Sequence, residues 1–236
     1  MAAAATVIRS KVESGPDDHL WTFGDFTSLP TSAVAKALSR LAHEGVVHRV
    51  RKGVYYRPKA TRFGETKPDL ARVFTRVLDR KEVDWKPSGL AVWNKLGLTT
   101  QIPAIPTFAI DRRVQVAAPE RRVRFRVVPS LHAVTTEERA ALDALRDLRH
   151  VPDAMPADII RRLVDLCREG RISFVRLARA STHEPPRVRA LLGLMGTLLG
   201  ADPSVLAKLR HSLNTTTTFK LGLAVDFAAA ADWGIS

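Results

Sequence analysis

The chain has 236 residues, 45% of them hydrophobic and 26% charged, an ordinary globular composition and long enough for one or two domains. Lys and Arg number 37 against 24 Asp and Glu, a formal net charge of +13, which excludes cationic partners and points to nucleic acid before an anionic membrane. A single cysteine, Cys167, excludes an intrachain disulfide or a Cys-based zinc site and fits a reducing cytoplasm, and the seven scattered histidines form no metal-ligand pair. Of the +13, residues 1–130 carry +11.

Taken in chain order, residues 2–14 are helix-forming, with Ala5, Ile8 and Val12 on one face, and they read as a helix opening and not as a signal peptide. Gly15-Pro16-Asp17-Asp18 is a turn, and Trp21–Phe26 is a brief aromatic helix. Leu29-Pro30-Thr31-Ser32 starts a helix, Pro30 suiting its first turn and Thr or Ser its cap, and Gly45 ends it. Two short strands follow, residues 46–50 and 54–58, around the basic turn Arg51-Lys52-Gly53. Helix, short helix, helix and hairpin within 60 residues is the layout of a winged helix-turn-helix.

On a helical wheel, Val34, Leu38 and Leu41 fall within about 60° of one another and make the core stripe. Ser32, Lys36, Ser39 and His43 lie opposite, with Arg40 at their flank and no acid before Glu44. Short hydroxyls let a helix approach base edges in the major groove, and Lys or Arg reach guanine or phosphate. The plainer alternative is a solvated surface helix. The hairpin adds Arg49, Arg51, Lys52 and Arg57, placed to track phosphates or enter a minor groove. Tyr55 and Tyr56 alternate, so one faces the core and the other offers a hydroxyl to phosphate. The candidate DNA contacts are therefore Thr31, Ser32, Lys36, Ser39, Arg40, His43, Arg49, Arg51, Lys52, Tyr55 and Arg57.

Residues 59–68 read as a linker, followed by a helix at 69–79 and another from Pro87 through Leu96. A strand is expected at 107–110, then a second hairpin in which Val114 and Val116 face Val123, Phe125 and Val127 across a loop at 118–121. Arg122, Arg124 and Arg126 share one face of that last strand. They suit either an anionic partner or an edge strand that uses charge against aggregation. The remainder is helical: a capping box at Thr135 and Glu138 heads 137–148, and helices follow from Pro156 to Gly170, over 187–199 and over 204–213. The fold class expected is α+β, with a winged helix-turn-helix at 1–60 and a mixed, mainly helical domain at 69–236 that contains a small β-hairpin. Paired carboxylates, a nucleophile elbow, a phosphate-cradling glycine loop and a metal cluster are all missing, so an enzyme is not expected. Cys167, beside Leu163 and Leu166, reads as a small core or boundary residue.

Several segments together resemble the AbiEi-type antitoxins of bacterial abortive-infection toxin–antitoxin systems and related transcriptional regulators. They are Thr6-Val-Ile-Arg-Ser10 with Trp21–Phe26, Val34–Leu41 running to Gly45, and Arg51-Lys-Gly-Val-Tyr-Tyr-Arg-Pro58. The most distinctive are Pro87-Ser-Gly-Leu-Ala-Val-Trp-Asn94 and Leu96-Gly-Leu-Thr-Thr-Gln-Ile-Pro103. Pro186–Gly193 and Phe219–Gly222 extend the likeness over nearly the whole chain. The resemblance implies a repressor that binds inverted repeats in double-stranded DNA at its own promoter, as a homodimer or as separate monomers, and counters a nucleotidyltransferase-like toxin. From the residues themselves no cofactor and no metal are expected, and no membrane either, because no helix pairs a basic face with a broad apolar one. The alternative is a plain winged-helix regulator whose C-terminal domain senses a ligand or only dimerises. Around Asn94–Pro103, Asn94 is expected to brace the following turn and Gly97 to supply a turn conformation.

Overall fold

The computed structural model describes residues 2–114, 123–128 and 131–236. The chain divides into two units. The first runs to Lys81 and the second begins at Glu82.

In the first unit, α1 (Ala2–Ser14) precedes strand β1 (Leu20–Thr22) and a 3-10 turn (Phe23–Phe26). Then come α2 (Thr31–His43), β2 (His48–Arg51) and β3 (Val54–Tyr56). The aromatic segment is thus part strand and part 3-10 turn, where the sequence suggests one short helix. The reason is pairing: Leu20, Trp21 and Thr22 lie opposite Tyr56, Tyr55 and Val54 in an antiparallel ladder, giving a three-stranded sheet of order β1-β3-β2. At the head of α2, Pro30 occupies the cap itself and its carbonyl accepts from Ala33 and Val34 at 2.9 and 3.1 Å. Thr31 and Ser32 therefore sit in the first turn and not at the cap. Gly45, at φ +78°, lets the backbone turn left-handed, and the Val46 N–H closes the helix end on the Leu41 carbonyl.

Both faces of this sheet are covered. Tyr55 and Trp21 join Ile8, Val12, Val34, Leu38 and Leu41 in one apolar core. Leu20, Val54 and Tyr56 pack with Val73 in a second. Val73 belongs to α3 (Leu70–Arg80), which is capped by Asp69 accepting from Ala71 at 2.9 Å. Residues 59–68 are not an open linker. They form a two-stranded hairpin, β4 (Ala60–Thr61) with β5 (Gly64–Glu65). The hydroxyls of Thr66 and Tyr56 both donate to Asp18, which fastens this segment to the unit. The first unit accordingly extends past the boundary expected near residue 60, because α3 supplies the cover for the outer sheet face.

The second unit opens with β6 (Trp85–Ser88), α4 (Leu90–Lys95) and β7 (Thr107–Ile110). Pro87 and Ser88 lie in β6, so the helix there begins only at Leu90. The third strand, β8 (Arg124–Val127), pairs with β7 in parallel, and β7 pairs with β6 antiparallel. Where the sequence suggests a hairpin with the segment just before it, the pairing β8 shows among the described residues is with Thr107–Ile110. Val114 is in no strand, and the rest of the proposed partner segment, with its loop, lies outside the described residues. The β7–β8 register places Phe108 beside Phe125, and their rings stack at 6.1 Å.

Helices α5 (Thr136–Arg146), α6 (Pro156–Arg168), α7 (Phe174–Ala180), α8 (Pro186–Leu199) and α9 (Pro203–His211) complete this unit with a 3-10 turn at Ala228–Trp233. Their apolar faces make one large core that also takes in Val92, Trp93, Leu96 and Leu98. The capping box is present: Glu138 accepts from the Thr135 N–H at 2.9 Å and Thr135 accepts from the Glu138 N–H at 3.2 Å. The architecture is α+β with small sheets, and no helix among the described residues is long and apolar enough to cross a membrane.

Candidate nucleic-acid interface

The amphipathic pattern of α2 decides which side chains face solvent. Val34, Ala37, Leu38 and Leu41 are buried, so the opposite face must point away from the core. Thr31, Ser32, Lys36, Ser39, Arg40 and His43 are all exposed, as the wheel requires. Lys36 and Arg40 make no ion pair among the described residues. The nearest acid along the helix, Glu44, is held by Arg9 of α1, and that contact together with Glu13 raises the Arg9 pKa further. The face thus keeps its positive sign and its small hydroxyls.

The β2–β3 turn presents Arg49 and Lys52 to solvent. Gly53 stands at φ +77°, and a Cβ there would come 3.3 Å from the Phe23 ring, so the turn needs glycine both for its backbone angle and for the approach. Arg51 behaves differently. A register shift between Arg49 and Arg51 turns it toward the side of Val54, where it shares a hollow of about 200 Å³ with Lys52, Val77, Arg80 and Lys81. Its Nε and Nη1 are buried without a hydrogen-bond partner among the described residues. Burial first, and the neighbouring Arg80 charge second, pull its pKa below the ordinary arginine value.

Two candidates leave the interface. Tyr55 is a core residue at 3% exposure, and Tyr56 is no freer, because its hydroxyl is bound to Asp18 and Thr66. The alternation is real, but α3 covers the face that the sequence leaves to solvent. Arg57 is a fastening: its Nη1 donates to the carbonyls of Val12, at 3.0 Å, and of Gly15, and Nη2 stands 3.7 Å from Asp17.

The arginine stripe of β8 also divides. Arg122 lies outside the described residues. Arg124 is exposed. Arg126 is held inside the unit by two carboxylates one turn apart, Asp143 of α5 and Asp147 at its C-terminal end, with Nη1 3.0 Å from Asp143 and Nη2 2.5 Å from Asp147. Burial lowers its pKa, and the two aspartates more than offset that, so the net shift is upward. Asp143 also accepts from Ser88 at 2.8 Å and pairs with Arg139 at 3.1 Å. Arg139, fully buried, bonds Glu184 at 2.8 Å, and Arg146 meets the other Glu184 oxygen. This network, formed across α5, β6, β8 and the 181–184 turn, is invisible in sequence, because its partners are up to 55 residues apart.

The Pro87–Pro103 block is a brace. The Trp93 Nε1 donates to the Ala140 carbonyl at 3.0 Å, and the Asn94 amide donates to the Thr99 and Gln101 carbonyls at 3.3 and 3.4 Å. Gly97 takes φ +73°, as expected of a turn residue. Cys167 is half-buried, and burial, with Glu138 nearby, pushes its thiol pKa up to about 11.

Residues 7–166 match the family described as "Family of unknown function (DUF6088)". Among curated proteins there is no match. The fold is similar to that in the crystal structure of the RV2827C protein from Mycobacterium tuberculosis, with a TM-score of 0.57 and 15% identity over 92% of this chain and 83% of that one. At that identity the likeness concerns the fold alone.

Proposed function

The chain belongs to the DUF6088 family, and from that premise and the geometry above we propose that it is a winged-helix DNA-binding repressor and antitoxin. The α2 helix would lie in the major groove, with Lys36, Ser39, Arg40 and His43 toward base edges and Thr31 and Ser32 toward the backbone. The β2–β3 turn would act as the wing, with Arg49 and Lys52 on phosphates. One observation carries this reading: an α2 face of exposed cations and hydroxyls, free of acid, in the same unit as a basic glycine turn. Beyond DNA, the resemblance to AbiEi-type antitoxins supports repression of its own operon and action against a nucleotidyltransferase-like toxin.

Gel-shift titration on the protein's own promoter tests the DNA half. Lys36→Ala should relax specificity at one base position, whereas Arg49→Ala should weaken binding uniformly across sequences. Unchanged affinity in both would remove the proposed footprint. Co-expression with the product of the adjacent gene tests the antitoxin half: growth should be rescued from a toxic neighbour, and persistent toxicity rejects it.

A further inference from the structure

In the second unit, α7, the turn at Ser181–His183, α8 and α9 enclose an open cavity of about 530 Å³. That lies within the usual range for small-molecule pockets, about 300–1,000 Å³. Its lining combines apolar Val175, Val205 and Leu209 with the cations Arg179, Arg189 and Lys208. No carboxylate lines it among the described residues, and none of the three cations has an ion pair there. The Arg189 Nε is buried and without a hydrogen-bond partner. The Ser181 and Ser212 hydroxyls already donate to the carbonyls of Ala178 and Leu209, at 2.7 and 2.6 Å. Asp202, close to Lys208, is committed to capping α9: it accepts from the Ser204 N–H at 2.7 Å, and that bonding holds its pKa below the ordinary value.

Three like charges around one hollow repel each other, and a buried guanidinium N–H with no acceptor is unfavourable. An anion resolves both at once, and the apolar lining residues give the rest of a ligand a surface to cover. We propose that this cavity binds a small organic anion, a carboxylate or phosphate head on an apolar body. Arg189 and Lys208 hold the head, and Val205 and Leu209 contact the body. The site shares no residue with the proposed DNA-facing set and stands whether or not the chain binds DNA. It would make the second unit a ligand sensor.

The test is calorimetric titration with octyl phosphate, octanoate, octanol and inorganic phosphate. At least one of the two amphiphilic anions should bind saturably at one site, with octanol and inorganic phosphate at least about tenfold weaker. Arg189→Gln and Lys208→Gln should each weaken binding by about tenfold, the scale of one charge-assisted hydrogen bond. Lys208 is exposed on α9, so its variant keeps the fold even where the half-buried Arg189 change does not, and the melting temperature checks this. Absence of saturable binding by both anions overturns the proposal. So does octanol or inorganic phosphate binding as tightly, or unchanged affinity in a folded Lys208→Gln protein.

Discussion

Removing one exposed cation from the α2 face or the β2–β3 turn should lower the salt dependence of DNA binding by a defined step. Four basic side chains there are exposed and unpaired among the described residues: Lys36, Arg40, Arg49 and Lys52. If each displaces one counterion, the slope of log K against log salt is about −3.6 per protomer. A rise from about 50 to about 200 mM salt then weakens binding ~150-fold. In Arg40→Ala or Lys52→Ala the slope should fall to about −2.7 and the loss over the same range to ~40-fold. Fluorescence anisotropy with a labelled promoter duplex measures both quantities. Arg57→Ala is the contrast: it releases the carbonyls of Val12 and Gly15, so it should destabilise the first unit by about 1–3 kcal/mol and leave the slope of the folded fraction unchanged. A wild-type slope shallower than about −1, or slopes in folded Arg40→Ala and Lys52→Ala that both equal the wild-type slope, would refute the reasoning.

Three further outcomes follow from the geometry. Glu184→Gln leaves the fully buried Arg139 with Asp143 as its remaining anion, so the second unit should lose about 3 kcal/mol in urea denaturation; a loss under about 0.5 kcal/mol would show that the pair contributes little. Burial raises the Glu138 pKa, but the Arg176 bond and the N–H groups of Thr135 and Ser173 outweigh it and leave the net value depressed. A depressed carboxylate contributes stability above its unfolded pKa of about 4.3 that disappears as pH falls through the folded value, so Glu138→Gln should be destabilising at neutral pH and approach wild type in acid; a pH-independent difference contradicts this. With its thiol near pKa 11, Cys167 should react with iodoacetamide at pH 8 at least about a hundredfold more slowly than an unhindered cysteine, and labelling at an ordinary rate would show that the helix opens readily.

What could be read from the residues was whatever depends on local periodicity. The 3.6-residue spacing of Val34, Leu38 and Leu41 fixed the buried stripe of α2, and the exposed set opposite follows from it without tertiary information. Gly45, Gly53, Gly97 and the Thr135–Glu138 box marked their turns and cap because those roles are set within four residues. Pairing across distance was not readable. The alternation at 123–127 announces a strand equally well whether its neighbour is antiparallel and near or, as found, parallel and 17 residues earlier. Likewise, alternation assigns Tyr55 and Tyr56 to opposite faces but cannot say that α3 covers the second face, since Val73 comes from beyond the apparent linker.

The same distinction governs how the chain's charge should be interpreted. A count of basic residues treats Arg57, Arg126 and Arg40 alike, yet Arg57 is tied to two carbonyls, Arg126 to two carboxylates, and only Arg40 is both exposed and unpaired. An arginine fixed by internal acceptors adds to the long-range field but would have to break those bonds to touch phosphate, and partners within a folded unit are not released cheaply. Long-range attraction and specific contact therefore draw on different subsets of the 37 basic residues. Arg126→Ala should reduce the stability of the second unit far more than it reduces any DNA affinity, whereas Arg40→Ala should do the reverse. Measuring both quantities on both variants separates the cations that build this fold from those it presents. If Arg126→Ala weakens DNA binding as much as Arg40→Ala while its folding is intact, the β8 stripe belongs to the interface after all.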